Sequence, residues 1–222
     1  FRITIGTSDF TSKKFYTYYD AKELTEANAI KNADGTLSPD WQNTTGNGFS
    51  IQKDIDYKIV DTVKKVMELA KEYGVEDEIK FFASSWTPPG WMKSETTSSK
   101  SYKDNDLLIK GGSLNDKYID DLAMYYTRYL EEYAKQGIDI YAMTLQNEPM
   151  LEIDYPSCAM SGEQEGKLAV AIKQAVNNSK ILTNEQKKCK LWAFDHNPSG
   201  AYDYTAAILR VDGANEALDG VA

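Results

Sequence analysis

From Tyr118 to Pro149, YIDDLAMYYTRYLEEYAKQGIDIYAMTLQNEP, an apolar helical stripe passes directly into a buried strand, the repeating unit of the architecture. Tyr118, Leu122, Tyr125, Tyr126, Tyr129, Leu130 and Tyr133 recur at helical spacing, Gly137 supplies the stop, and Ile138 to Leu145 follows as a buried strand. The tyrosines at 125, 126, 129 and 133 read as one packing face turned to the sheet. The strand ends on Gln146-Asn147-Glu148-Pro149, so polar side chains gather where an apolar run stops.

The same unit repeats on both sides. Towards the N-terminus, Ile55, Ile59, Val63, Val66, Met67 and Ala70 mark a helix running from Asp54 to Gly74, and Ile79 to Trp86 is a β-prone run halted by Thr87-Pro88-Pro89-Gly90. Towards the C-terminus, Ser161 and Gln164 stand at capping-box spacing before Leu168, Ile172 and Val176. A strand Lys190 to Phe194 and a last helix near Tyr202 to Val211 follow. Arg2 to Ile5 opens the chain as a strand, and another begins near Gly220. Between the first strand and the first helix, Thr11 to Phe49 is rich in Ser, Thr, Asn, Asp and Gly and reads as a long excursion loop, a feature usually tied to function.

Alternating strands and helices give a parallel sheet, open or closed. Gly6-Thr7-Ser8-Asp9 is not the GxGxxG phosphate turn of a dinucleotide fold. Polar and aromatic residues instead cluster after each strand: Thr7, Ser8 and Asp9; Ser84, Ser85 and Trp86; Gln146, Asn147 and Glu148; Asp195, His196 and Asn197. That is the layout of an α/β (β/α)8 TIM barrel, whose active site lies at the C-terminal strand ends. Each unit here takes roughly 55 residues, so eight would need about twice this chain, and roughly three strands are expected to lie outside it. The opening and closing strands and the absence of an initial Met mark the sequence as a piece of a longer barrel, about strands 2 to 6, and the lack of a signal peptide is uninformative.

Composition narrows the function. With 25 Lys and Arg against 34 Asp and Glu, the net charge is -9, and no basic excess is available for nucleic acid or an anionic membrane surface. No apolar run is long enough to span a bilayer. A single histidine, His196, and two cysteines outside any metal-ligand spacing, Cys158 and Cys189, exclude a multi-histidine metal site. No cofactor is expected. The cysteines read as separate thiols, and Glu163 and Glu165 as solvated acids favoured by a helix start.

Glu148 carries the sharpest chemical signal. A carboxylate just past a buried strand is costly to bury unpaired, and partial burial raises its proton affinity into the range a general acid needs. Pro149 is expected to hold Glu148 in extended geometry, aiming it into the barrel mouth. Glycoside hydrolysis uses two carboxylates, about 5 Å apart for retention and roughly 6.5 to 9.5 Å for inversion. No second one stands out, because Asp9 and Asp195 suit hydroxyl binding equally well. An ordinary turn with a solvated Glu is the rival reading of Asn147-Glu148-Pro149.

The sequence resembles the catalytic barrel of glycoside hydrolase family 30, the family of glucosylceramidases and β-1,6-glucanases. The resemblance rests on Arg2 to Phe10 with Tyr16-Thr17-Tyr18, on Phe49-Ser50-Ile51, and on Ala83-Ser84-Ser85-Trp86-Thr87-Pro88-Pro89-Gly90-Trp91-Met92-Lys93. It continues through Gly112-Ser113-Leu114, Leu145 to Pro149, Tyr155 to Cys158 and Phe194 to Asn197. The Ser-x-Trp-x-x-Pro-x-Trp-Met-Lys run is the most specific of these. The resemblance implies Glu148 as general acid/base, Asn147 on the sugar 2-hydroxyl, Asp9 and Trp86 lining the sugar subsite, and Arg2 behind the nucleophile. It places the nucleophilic Glu after the seventh strand, beyond Ala222, so this chain alone would be inactive. It implies a retaining enzyme cleaving β-glucosides, glycolipid or saccharide, and a secreted location.

Plainer readings accompany each residue. Trp86 and Trp91 can be packing aromatics around a proline turn, and Arg2 a buried ion-pair partner. Asp195-His196-Asn197 reads as a turn with at most a rim-lining role. The competing function is a carbohydrate-binding barrel that has lost its chemistry. Metal-dependent hydrolases and Schiff-base aldolases lack their ligands or lysine at these strand ends. Specificity would lie in the Thr11 to Phe49 and Met92 to Gly111 loops.

Overall fold

The computed structural model describes residues 1–43 and 48–222. Residues 44–47, within the long excursion, lie outside the described residues. In chain order the elements begin with β1 (Arg2–Thr4), the hairpin β2 (Ala29–Lys31) and β3 (Leu37–Pro39), α1 (Gln52–Asp56), α2 (Ile59–Glu72) and β4 (Phe82–Ser84). Then come β5 (Lys93–Ser94), α3 (Thr97–Ser101), β6 (Ser113–Leu114), α4 (Ile119–Lys135) and β7 (Ala142–Thr144). The chain continues with α5 (Gly162–Asn178), β8 (Lys190–Ala193), α6 (Ala201–Ile208), α7 (Ala214–Ala217) and β9 (Gly220–Val221).

Five strands form one parallel sheet in the order β1-β4-β7-β8-β9. This strand-by-strand progression, with helices between, is the predicted alternation. In register, Ile3, Ala83, Met143 and Leu191 lie side by side and are buried against the helices. The neighbouring row, Thr4, Ser84, Thr144 and Trp192, faces the other way, as a period of two requires. On that second face Phe82 and Trp192 are half-buried, their rings 5.7 Å apart.

The predicted tyrosine face of α4 is buried completely: Tyr125, Tyr126, Tyr129 and Tyr133 are all at 0% exposure. Three tyrosine hydroxyls, Tyr16 (2.7 Å), Tyr18 (2.5 Å) and Tyr133 (2.6 Å), donate to the carboxylate of Asp54, which is itself fully buried. Burial pushes the Asp54 carboxyl up and the three donors pull it back.

Several predicted elements are revised. The helix expected from Asp54 to Gly74 is two helices, because Lys58 adopts a left-handed backbone (φ 67) between α1 and α2. Asp54, tethered to tyrosines of other segments, fixes α1 in its own direction. The excursion loop contains the β2–β3 hairpin. The helix expected near Tyr202 to Val211 is α6, and a further short helix, α7, starts after the left-handed Gly213. The predicted capping box holds: Ser161 Oγ accepts from Gln164 N at 3.2 Å and Gln164 Oε1 from Ser161 N at 2.9 Å. Among the described residues, no helix is long and apolar enough to cross a membrane. Cys158 and Cys189 are both free and buried.

Candidate active site

The C-terminal ends of β4, β7 and β8 converge on one polar cluster, which Arg2, the first residue of β1, reaches with its long side chain. Arg2 Nη2 donates to Ser84 Oγ (2.8 Å), Asn147 Oδ1 (2.8 Å) and Asp195 Oδ2 (2.6 Å), so one guanidinium nitrogen ties four strands together. Thr144 Oγ1 sits 2.6 Å from Ser84 Oγ and 2.9 Å from the same Asp195 oxygen. Ser84 Oγ also reaches that oxygen at 2.8 Å. The guanidinium lies 4.5 Å from the centre of the Trp86 ring, a cation–π distance. Asp195 is therefore central rather than rim-lining. Its strand-end position was legible in the sequence, but its Arg2 partner lies 193 residues away.

Asn147 and Glu148 leave β7 beside this cluster. Asn147 N donates to Ser85 O at 2.7 Å and Glu148 N to Asp195 O at 2.8 Å, which extends the strand pairing past the sheet proper. Glu148 does not take the extended backbone expected before Pro149; its φ is +49. Proline biases the residue before it toward extended backbone, and here tertiary bonds override that bias. The left-handed turn is held by the bond to Asp195 O and by Leu151 N donating to Glu148 O at 2.8 Å. Phe194, across the gap, is left-handed too (φ 52). Two non-glycine residues in this region on adjacent strand ends mark backbone strain of the kind found at functional sites.

The Glu148 side chain is one-third exposed. Its Oε2 accepts from the Tyr155 hydroxyl at 3.2 Å and from Asn147 Nδ2 at 3.5 Å, and its Oε1 faces His196 Nδ1 at 3.9 Å. Burial and then the Glu148 carboxylate push the Tyr155 phenol up, with a smaller push from Asp9. Asp9 is exposed in the turn after β1. Trp86 is 7% exposed; its carbonyl accepts from Gln146 Nε2 at 2.8 Å. The indole thus forms part of the wall, beneath Arg2.

Two buried titratable groups lie next to the site. Lys93 Nζ donates to Thr87 Oγ1 (2.8 Å), Ile109 O (3.2 Å) and Ser157 O (2.9 Å), stitching three loops over the mouth. Burial pushes the Lys93 ammonium down to about 8. Gly90 permits this packing: a Cβ there would stand 1.8 Å from Leu107 O. Glu165, expected to be solvated, is fully buried beneath β8 and makes long contacts to Phe194 N at 3.3 and 3.4 Å. Burial pushes its carboxyl up to about 8. Its position in the first turn of α5 gave no sign of this, since acids there are normally exposed.

A parallel sheet that gathers an acid and an amide at its C-terminal strand ends, with an arginine reaching them from inside the sheet, has the layout of a TIM-barrel hydrolase. The chain belongs to glycosyl hydrolase family 30, whose TIM-barrel domain matches residues 1–222. It is 30% identical over 206 residues to the endo-1,6-beta-D-glucanase BGN16.3 of Trichoderma harzianum, covering 88% of this chain and 34% of that protein. It is 29% identical over 201 residues to putative glucosylceramidase 4 of Caenorhabditis elegans, covering 86% and 33%. The solved endo-beta1,6-glucanase BT3312 superposes with a TM-score of 0.69 at 26% identity, over 99% of this chain and 42% of that one. The chain thus spans about a third of the length of these curated relatives.

Proposed function

We propose that this chain supplies about strands 2 to 6 of a (β/α)8 glycosidase that cleaves β-glucosides with retention, and that Glu148 is its general acid/base. The observation that carries this reading is the Glu148 carboxylate itself. It is part exposed at the mouth, on a left-handed turn that no solvated loop residue requires, with donors on one oxygen. Glu148 would protonate the glycosidic oxygen as the C1–O bond breaks, and later take a proton from the water that attacks C1. The nucleophilic carboxylate comes from a segment outside these 222 residues and sits near Arg2, whose charge keeps it ionised. Asn147 contacts the sugar 2-hydroxyl, Asp9 accepts from other hydroxyls, and the Trp86 indole lines the subsite. Glycolipid and β-1,6-linked glucan are the two substrate classes supported by the names of the relatives, which links the enzyme to sphingolipid or polysaccharide breakdown. A secreted location follows from the family resemblance.

The test uses the complete barrel and a series of aryl β-glucosides of graded leaving-group ability. Glu148→Gln is expected to slow glycosides with poor leaving groups by about 100-fold or more, in line with loss of general acid catalysis, and to affect activated ones far less in the bond-breaking step. NMR is expected to show β-glucose as the first anomer released. Equal small losses across the series would remove Glu148 from the acid role, and first release of the α-anomer would exclude retention.

A further inference from the structure

His196 follows the left-handed Phe194 and Asp195 at the end of β8, and its backbone N–H turns back onto Phe194 O at 2.8 Å. The imidazole is 14% exposed and meets the Phe194 ring edge-on at 5.7 Å. Its Nδ1 is buried and has no hydrogen-bond partner among the described residues. A buried polar nitrogen left unpaired costs free energy and calls for an explanation. The charged atom it faces is Glu148 Oε1, 3.9 Å away and about 1 Å too far for a hydrogen bond. The other oxygen of Glu148 is occupied by Tyr155 and Asn147. The neighbouring Asp195 carboxylate is turned away, onto Arg2, Ser84 and Thr144, and Asp9 bears on the Tyr155 phenol. Glu148 is thus the charged group that His196 answers to.

We infer that His196 is a positioning residue for the acid/base: its Nδ1–H closes onto Glu148 Oε1 when that carboxylate is ionised, and opens when it is protonated. This rests on the general acid/base reading of Glu148. In the first half-reaction the Glu148 proton passes to the departing oxygen, which keeps the electron pair of the C1–O bond. The carboxylate left behind then gains the Nδ1–H bond. In the second half-reaction Glu148 takes a proton from the attacking water and the bond is released. The imidazole needs no net change of charge, only the tautomer with hydrogen on Nδ1. Sequence alone could not reach this pairing, because a lone histidine in a turn has no visible partner.

The experiment compares His196→Phe, which keeps a ring without a donor, with His196→Asn, whose amide nitrogen falls near the place of Nδ1, in the complete enzyme. The alkaline limb of kcat/KM reports ionisation of the acid in the free enzyme. It is expected to move up by about half to one pH unit in His196→Phe, because the carboxylate loses a donor, and to return most of the way in His196→Asn. A limb that stays in place in His196→Phe, or moves equally in both variants, overturns the inference. A second measurement does not depend on those variants: the NMR titration of the His196 ring in wild type and in Glu148→Gln. Its midpoint is expected to fall when the carboxylate is removed, and an unchanged midpoint overturns the pairing. If Glu148→Gln shows the leaving-group signature while both His196 readouts stay flat, this inference alone fails. If Glu148→Gln shows no such signature, the acid assignment fails and takes this one with it.

Discussion

Glu165 illustrates how much a single side chain can hide. It lies in the first turn of α5, yet it is buried under Phe194, and the Tyr204 hydroxyl beside it already gives its proton to Met160 O at 2.7 Å. With the folded carboxyl held near 8 and the unfolded one near its ordinary 4.5, the folded protein binds the extra proton between those values. Stability is therefore expected to fall as pH rises from about 4.5 to about 8 and to level off above, the reverse of a salt-bridged acid. Glu165→Gln, which keeps an acceptor for Phe194 N without a titrating proton, is expected to flatten that slope in denaturant titrations run across the pH range. The same residue marks the limit of reading at this scale. Glu148, Asn147, Arg2, Asp9 and Trp86 were picked out from their strand-end positions and the family resemblance, and Arg2, Asn147, Trp86 and Glu148 do meet in space. Glu165 and the Arg2–Asp195 pair were not, because burial and long-range pairing leave no mark on local composition.

At the level of elements, periodicity was the reliable guide and dihedral exceptions were not. The α4 tyrosine stripe and the α5 capping box followed from spacing alone. The break at Lys58 follows Asp54, tied to tyrosines of the excursion loop and of α4, and the turns at Glu148 and Phe194 face Asp195 O and the α5 residue Glu165, so a local pattern has nothing to register. The α5 cap also does more than close a helix, since Gln164 Nε2 reaches across to Leu114 O at 3.0 Å and ties α5 to β6. Ser161→Ala is expected to cost about 1 kcal/mol by removing the cap acceptor. Gln164→Ala is expected to cost more, because it loses both the reciprocal cap bond and the tie to Leu114. Thermal unfolding of the two variants, measured side by side, checks the order.

For the whole molecule, the sheet in its parallel order is a curved wall rather than a closed ring. Among the described residues β1 pairs only with β4 and β9 only with β8, and Phe82 and Trp192 lie half-buried on the face away from the helices. Unpaired strand edges flanking part-exposed aromatics are templates for other chains. The 222-residue chain expressed by itself is therefore expected to self-associate, with light scattering that rises with concentration. A sharp, concentration-independent monomer in sedimentation would contradict this and would mean that the wall is stable unaided. The alternation of strands and helices made the architecture readable. What sequence could not supply was the inner face, since its side chains answer to neighbours across the barrel.

The two thiols sit at opposite ends of this wall: Cys158 on the loop beyond β7 at the mouth, Cys189 just before β8 at the far end. Burial pushes them up to about 11 and about 12, so neither offers a thiolate while its surroundings stay closed. Each becomes a timer for its own end of the molecule. Reaction of Cys158 with an aromatic disulfide counts how often the loops stitched by Lys93 come apart, and reaction of Cys189 counts the breathing of the floor. A ligand seated at the mouth would slow the first clock and leave the second running.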